Sequence, residues 1–467
     1  CSVAEQPGMS PVRRMRMKRH RIWQYLAIVT VLSLLVAACG GDDSTDTTTD
    51  GATETTGATD TTEAPTETTE AMTDTTEGSG EPSGEPIRVG STLSLTGFLA
   101  PTAAIHEAVG EVFVDRINAQ GGLLGRPVEW VLLDDESAPD ISAAGYERLI
   151  TEDEVDLVIG PYGTGNITAA MAVAERYGYV FPHHTASLTY AYTYACQFSS
   201  WSTGLHPNIT NPNLVYDAIE SSGNTPATIG FVINEFPGTM FIAYGQDGTD
   251  EGGAVAEAEN RGYEVVLDIT FPTAITDWAP VAAQVADADP DFLYIGGLGV
   301  NAADLITAMN AIDYSPPGMF TQWDAPGPLL GTEGSDGIMS VTIFEEHPPF
   351  TDDPEAVEVA ADIDAALADA GIPYTKVETQ AAASWTAWEY LQQAAEGAGS
   401  LDQQAMCDYL IENGADTLFH GEIEFYPEEQ NYYVDLSKVK QIQDGDWFVV
   451  YPAEFAAPDR SVIYPTE

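Results

Sequence analysis

The sequence predicts an α/β protein built from two doubly wound lobes, and three observations carry that reading. The stretch 87–467, about 380 residues, exceeds what one hydrophobic core usually holds. Along it, short apolar runs alternate with segments whose apolar residues recur every three or four positions, the pattern of parallel strands joined by crossover helices. The alternation stops at 190–213, rich in aromatic, Ser, Asn and Pro residues, and then starts again.

In the first series, 87–93 reads as a strand, and 103–119 as a helix with Ile105, Val109, Val112, Phe113 and Ile117 along one stripe. Strands at 128–133 and 155–159 and helices at 141–151 and 167–177 follow, then a short strand at 179–181. In the second series, strands at 228–233, 264–269 and 292–295 alternate with helices near 249–261, 278–286 and 302–312. The tail, with 422–425, 434–442 and 447–450, reads as antiparallel strands closing the structure.

Ahead of this body, the basic strip from Arg13 to Arg21 leads into an apolar run at 22–35 and then Val36-Ala37-Ala38-Cys39, the parts of a secretory signal. The Val-Ala-Ala-Cys order resembles a bacterial lipobox, which implies cleavage before Cys39 and lipid on that cysteine, anchoring the protein to the outer face of the cytoplasmic membrane. Residues 1–10 read as an upstream extension of the frame, since Met9, Met15 or Met17 gives a more ordinary signal start. The segment 39–86 is Thr-, Asp- and Glu-rich with almost nothing apolar, a disordered acidic tether. Removing 1–38 takes away six of 16 basic and one of 73 acidic residues, moving the formal charge from −57 to −62. Such a surface, with its few basic residues scattered, argues against nucleic acid or anionic lipid as a partner.

The body resembles the leucine/isoleucine/valine-binding-like solute-binding proteins of ABC transporters across nearly all of 87–467. The phrases that carry the resemblance are Leu93-Ser94-Leu95-Thr96-Gly97, Arg116-Ile117-Asn118-Ala119-Gln120-Gly121-Gly122-Leu123-Leu124-Gly125-Arg126, Leu133-Asp134-Asp135-Glu136-Ser137, Val155-Asp156-Leu157-Val158-Ile159-Gly160-Pro161 and Asp291-Phe292-Leu293-Tyr294-Ile295-Gly296-Gly297. The resemblance implies the type I periplasmic binding protein fold, with lobes joined by hinge strands crossing near Ser202, Pro317 and Tyr433. Lobe 1 is then 87–202 plus 318–432, and lobe 2 is 203–317 plus 433–467. It also implies a monomer that captures a small polar solute, an amino acid first of all, and hands it to an ABC permease, with no cofactor. A ligand-sensing partner of a receptor, or an importer component for amides, urea or small organic acids, is the alternative.

Open parallel sheets bind ligands outside the carboxyl ends of their strands. That rule selects the loops at Thr96, at Tyr162-Gly163-Thr164 and at His183-His184-Thr185. The middle loop feeds a helix, whose free N–H groups favour an anion, and the resemblance places Thr164 and Thr185 on a ligand carboxylate. Where the family carries the carboxylate that meets a ligand ammonium, this sequence has Asn301, a neutral amide. Asp324, Glu235 and Asp247 are the acids available to replace it. His183 and His184 stand where small residues are usual and are expected to line the pocket; adjacent histidines without a Cys or paired carboxylate do not make a metal site. Tyr162, Trp201, Phe236, Tyr244 and Trp323 are candidate walls. Once Cys39 is lipidated, Cys196 and Cys407 are the cysteines left in the body; the resemblance puts both in the first lobe, either paired or as two buried thiols.

Enzyme motifs give no support. Gly297-Leu298-Gly299-Val300-Asn301-Ala302 imitates a dinucleotide-binding turn but lies in the second series rather than at the first strand of a domain. His106-Glu107 begins a zinc-protease phrase whose second histidine is Gly110. Neither a nucleophile elbow nor a phosphate-binding P-loop occurs.

Overall fold

The computed structural model describes residues 81–184, 187–246, 252–432 and 435–466. The signal, Cys39, most of the tether, Thr185, Asp247 and the expected crossing at Tyr433 lie outside the described residues. The end of the expected tether is fastened rather than loose: the Ser83 N–H donates to the Gly125 carbonyl at 2.9 Å, and Arg126 Nε donates to the Glu85 carbonyl at 2.9 Å.

The first series runs β1 (Ile87–Leu93), α1 (Ala100–Ala119), β2 (Val128–Asp134), α2 (Pro139–Thr151), β3 (Leu157–Val158), α3 (Thr164–Tyr177), β4 (Phe181–His183) and β5 (Gln197–Ser199). β1 lies between β2 and β3, all parallel, and β4 pairs parallel with β5. The Gly160 N–H to Pro182 carbonyl bond, 2.8 Å, links the two groups of strands. Helix α1 starts at Ala100, three residues before the expected 103, because Pro101, which lacks an N–H, suits a first turn.

The second series is α4 (Pro207–Ser221), β6 (Thr228–Asn234), α5 (Pro237–Tyr244), α6 (Ala254–Arg261), β7 (Glu264–Phe271), α7 (Ala279–Ala288), β8 (Phe292–Gly299), α8 (Asn301–Asn310), β9 (Met319–Asp324), α9 (Pro326–Leu330) and β10 (Met339–Thr342). The chain then returns to the first lobe for α10 (Pro354–Asp369), α11 (Thr379–Ala398), α12 (Gln403–Asn413) and the short pair β11 (Ala415–Thr417) and β12 (Gly421–Ile423). It ends with β13 (Lys438–Gln443) and β14 (Asp446–Tyr451). The second sheet has seven strands in the order β14-β13-β10-β9-β8-β6-β7, parallel from β10 to β7 and antiparallel at β13 and β14.

Two expectations change. The chain does not cross at Pro317: β9 pairs with β8 from Leu293↔Met319 onward and β10 pairs with β9, so 319–342 completes the second sheet. Pro316-Pro317-Gly318 is the turn from α8 into β9, and β9 is buried along almost its whole length between two neighbours. The residues read as one tail strand at 422–425 pair instead with β11 in the first lobe.

Helices α10 and α11 pack on α1, and α11 also covers β4 and β5. Cys196 and Cys407 form a disulfide across 211 residues, tying the approach to β5 to α12. Just after β10, where the chain leaves for the first lobe, Lys440 Nζ lies 2.6 Å from Glu345 Oε1 and 3.8 Å from Glu378 Oε2, all three side chains being buried. Burial pushes the Glu378 carboxyl up to about 7, against the pull of Lys440 and with the push of Glu345. Among the described residues, no helix is long and apolar enough to cross a membrane.

Candidate functional site

The carboxyl ends of the parallel strands in both lobes face one another, and side chains from each enclose a cavity of about 10 Å³. Leu99, Tyr162, Gly163, Thr164, Trp201 and Gln380 line it from the first lobe; Phe236, Leu298 and Trp323 line it from the second. A space of that size holds about one water molecule. The lobes are closed on one another: Phe98 meets Phe236 edge-on at 6.0 Å, and Trp201 meets Trp323 edge-on at 6.1 Å. Gly238, at the start of α5, permits the approach. A Cβ there would lie 2.8 Å from both Thr164 Oγ1 and Ser187 Oγ and 3.2 Å from the Trp323 ring.

Gly163 sets the first-lobe wall. It sits at the N-cap of α3 with φ +91°, a conformation that suits glycine, and a Cβ there would meet Leu99 Cδ1 at 2.8 Å. No side chain caps the start of α3, which leaves its first N–H groups and the positive end of its dipole uncapped beside Gly163 and Thr164, both in the cavity lining. The Thr164 hydroxyl is buried, 3.4 Å from the Ser187 hydroxyl. Nearby, Asn166 Oδ1 is buried without a partner.

Tyr162, Gly163, Thr164, Phe236 and Trp323 are therefore brought together as the sequence predicts, and Trp201 joins them. Thr96 is not: it is exposed, and Asp134 at the end of β2 takes both its hydroxyl, at 2.8 Å, and its N–H, at 3.2 Å. Nor do the histidines line the cavity. His183 is inside the first lobe, Nε2 2.6 Å from Gln197 Oε1, and His184 stacks on His106 with ring centres 4.0 Å apart. His106 in turn stacks on Tyr162 at 4.8 Å, so the row lies one layer behind the wall. Burial keeps all three imidazoles neutral, His106 being pushed down to about 3 and His183 to about 4, and His184 well below the usual range with the other two adding to the effect.

Asn301 and Asp324 serve the second lobe internally. Asn301 Oδ1 accepts from Asn234 Nδ2 at 2.8 Å and from the Leu298 N–H at 3.1 Å, tying β6 to the turn into α8. Asp324 Oδ1 accepts from the Ala302 N–H at 2.8 Å, and Oδ2 accepts from the Thr321 hydroxyl. Gly297 makes room for that carboxylate, since a Cβ would overlap it. Burial raises the Asp324 carboxyl to about 6, outweighing those hydrogen bonds. Of the other acids, Glu235 accepts from the Thr270 hydroxyl at 3.0 Å. The wall candidate Tyr244 donates to Asp268 at 2.7 Å and does not reach the cavity.

Sequence reasoning misses Leu99, Leu298, Gln380 and the backing His106. Gln380 follows the N-cap of α11, in a stretch where no motif marks it; Glu378 caps the helix by accepting from the Gln380 N–H at 2.9 Å. His106 Nε2 lies 3.2 Å from Gln380 Oε1. A larger hollow of about 340 Å³ opens on the outer face of the first lobe among Arg116, Trp385, Glu389 and Asp416. It is away from the strand ends, where this fold brings its convergent donors together.

The family profile described as "Periplasmic binding protein" matches residues 86–441. The chain belongs to the periplasmic binding protein family. Its structural relatives share the type I fold. Leucine-binding protein LivK of Thermotoga maritima superposes with a TM-score of 0.62 at 16% identity, over 80% of this chain and 99% of its own. LivJ of Streptococcus pneumoniae, a branched-chain amino acid transporter substrate-binding protein in complex with isoleucine, gives 0.60 at 19%, over 82% and 100%. A solute-binding protein of an ABC transporter from Rhodopseudomonas palustris, in complex with benzoate, gives 0.65 at 19%, over 81% and 99%. In sequence, the chemotactic signal transduction system substrate-binding protein BasB of Halobacterium salinarum is 34% identical over 108 residues, 22% of this chain. This periplasmic binding protein thus spans about a quarter, 26%, of that relative's length.

Proposed function

We propose that this chain is the solute-capturing lipoprotein of an ABC importer, anchored outside the cytoplasmic membrane through Cys39, which closes its two lobes on a small carboxylate-bearing solute and presents the closed form to a permease. The observation that carries this reading is the cavity at the strand ends, shared by both lobes and headed by the uncapped N-terminus of α3 beside Thr164. A closed cavity of about 10 Å³ admits no solute, so capture requires the lobes to part about the crossings and close again around a wider space. The solute then biases an open and closed equilibrium because it touches both walls only in the closed form. Relatives of this fold hold isoleucine in one case and benzoate in another, so its cleft is compatible with carboxylates that carry an ammonium and with those that do not.

A second reading, a chemosensory binding protein that reports its solute to a receptor, is favoured by the likeness to BasB. The first test is a thermal-shift screen of amino acids, amides and organic acids against the parent chain and Thr164→Ala. A solute at 100 times its Kd adds about 2.7 kcal/mol of stability. The reading expects at least one carboxylate to stabilise the parent and to lose most of that effect in the variant. Uptake of the same solute by vesicles holding the neighbouring permease then separates transport from sensing.

A further inference from the structure

We infer that the solute of this cleft is an apolar carboxylate without an ammonium group, recognised by hydrogen-bond donors alone. The inference rests on the reading above and narrows it. Its basis is an inventory of what the described cavity walls can offer. Thr164 offers a hydroxyl, and α3 offers its first N–H groups. Trp201 and Trp323 offer indole N–H groups, and both Nε1 atoms are buried with no hydrogen-bond partner. An indole nitrogen can only donate.

Gln380 completes the set through the residue behind it. Because its Oε1 faces His106 Nε2 at 3.2 Å, the neutral imidazole donates there and its Nδ1 lone pair is the unpartnered position. The Gln380 carbonyl is thereby engaged with His106, and its amide N–H groups are donors for the cavity it lines. The rest of the wall is Leu99, Leu298, Phe236 and the Tyr162 ring.

Among the described residues no carboxylate lines this space, and the amide and the acid that the sequence offers at the second-lobe strand ends are otherwise employed. Asn301 holds the turn into α8, and Asp324 caps α8 and binds Thr321. An ammonium enclosed there would lose its water and meet no carboxylate among the described lining residues, which is costly, whereas a carboxylate would pair with the unpartnered indole N–H groups. The apolar remainder of the wall suits a hydrocarbon body.

Two matched pairs of probes test this, because each pair differs only in the ammonium: 3-phenylpropanoate against phenylalanine, and 4-methylpentanoate against leucine. Calorimetric titration of the full chain is expected to give at least one acid a Kd at least tenfold below that of its amino acid, and Trp323→Phe is expected to weaken that acid severalfold. An amino acid that binds as tightly as its deaminated partner, or failure of both acids to bind at millimolar concentration, overturns the inference. Benzylamine and benzamide serve as further probes. Gly238→Leu, which wedges the lobes apart at Thr164 and Ser187, distinguishes the two levels of the argument. A probe whose binding is abolished by it uses the cleft, so the general reading stands even if the acids fail. Binding of every active probe that survives both Gly238→Leu and Thr164→Ala defeats the general reading itself.

Discussion

The first lobe meets the cavity with a helix N-terminus, the Thr164 hydroxyl, the Gln380 amide and one indole, whereas the second meets it with Phe236, Leu298 and the face and edge of Trp323. The supports behind these walls differ too. Behind the first stand three neutral imidazoles, with a disulfide elsewhere in the same lobe; behind the second, Asp324 and Asn301 pin the turn into α8. The division implies an order of events. A polar end can be held by the first lobe while the cleft is open to water, because its donors are fixed in place beforehand. The second lobe adds mainly apolar contact, which accrues only when water is expelled on closure.

The comparison breaks most visibly at the disulfide. Replacing Cys196 and Cys407 by Ser is expected to cost about 2–4 kcal/mol, the typical worth of a disulfide. Hydrogen exchange should rise in α3, α11 and α12 while β6, β8 and β9 keep their protection. Equal loosening in both lobes would show that they do not fold as separate units. Next, Thr164→Ala should weaken binding of a carboxylate by about 1.5–3 kcal/mol, the worth of a hydrogen bond to a charged group, with little change in melting temperature. A fall in melting temperature with binding intact would make the hydroxyl structural. Gly297→Ala acts on the other lobe: crowding the Asp324 carboxylate should cost about 1–3 kcal/mol of stability, read by urea unfolding. Trp323→Phe keeps the apolar wall and deletes one donor, so a loss of about 0.5–1.5 kcal/mol in binding is expected by calorimetry.

A slope with pH is the last expectation. The Glu378 carboxyl sits near 7 in the folded chain and near 4.5 when unfolded, so the unfolded chain releases its proton first and stability falls as pH rises between those values. His106, pushed down to about 3, acts oppositely: the unfolded chain takes up its proton first, and stability falls as pH drops below about 6.5. Glu378→Gln should therefore be more stable than the parent at pH 8 and lose that advantage by pH 5. An advantage that does not change with pH would mean that Glu378 does not titrate in this window.

Much of the architecture is legible in the sequence where one rule acts alone. Strand β1 falls at 87–93, as its apolar run indicates, and α1 and α2 end where periodicity stops. The crossing at Pro317 misleads because a Pro-Pro-Gly turn looks the same whether it leaves a lobe or only re-enters its sheet. Tyr162, Gly163 and Thr164 are readable because a strand end, a positive-φ glycine and a helix start coincide there. Gln380 is not, since what brings it to the cleft is the packing of α11 against α1, between segments more than 250 residues apart. His183 and His184 are read as lining because residues at a strand end can face either way, and only the stack with His106 and Tyr162 decides it.

The order of segments along the chain also governs how the molecule is made. The first lobe begins at β1 but needs α10, α11 and α12, and its disulfide closes only when Cys407 arrives. The second lobe begins at α4 and is completed by β13 and β14 near the end of the described chain. A chain emerging N-terminus first therefore carries both halves unfinished, with β10 lacking its neighbour, until nearly all of it is out. Such high contact order favours slow folding and leaves strand edges open to aggregation in the interval. Each lobe of this protein can therefore finish only after the late segments arrive, and shielding the early ones until then protects them from aggregation.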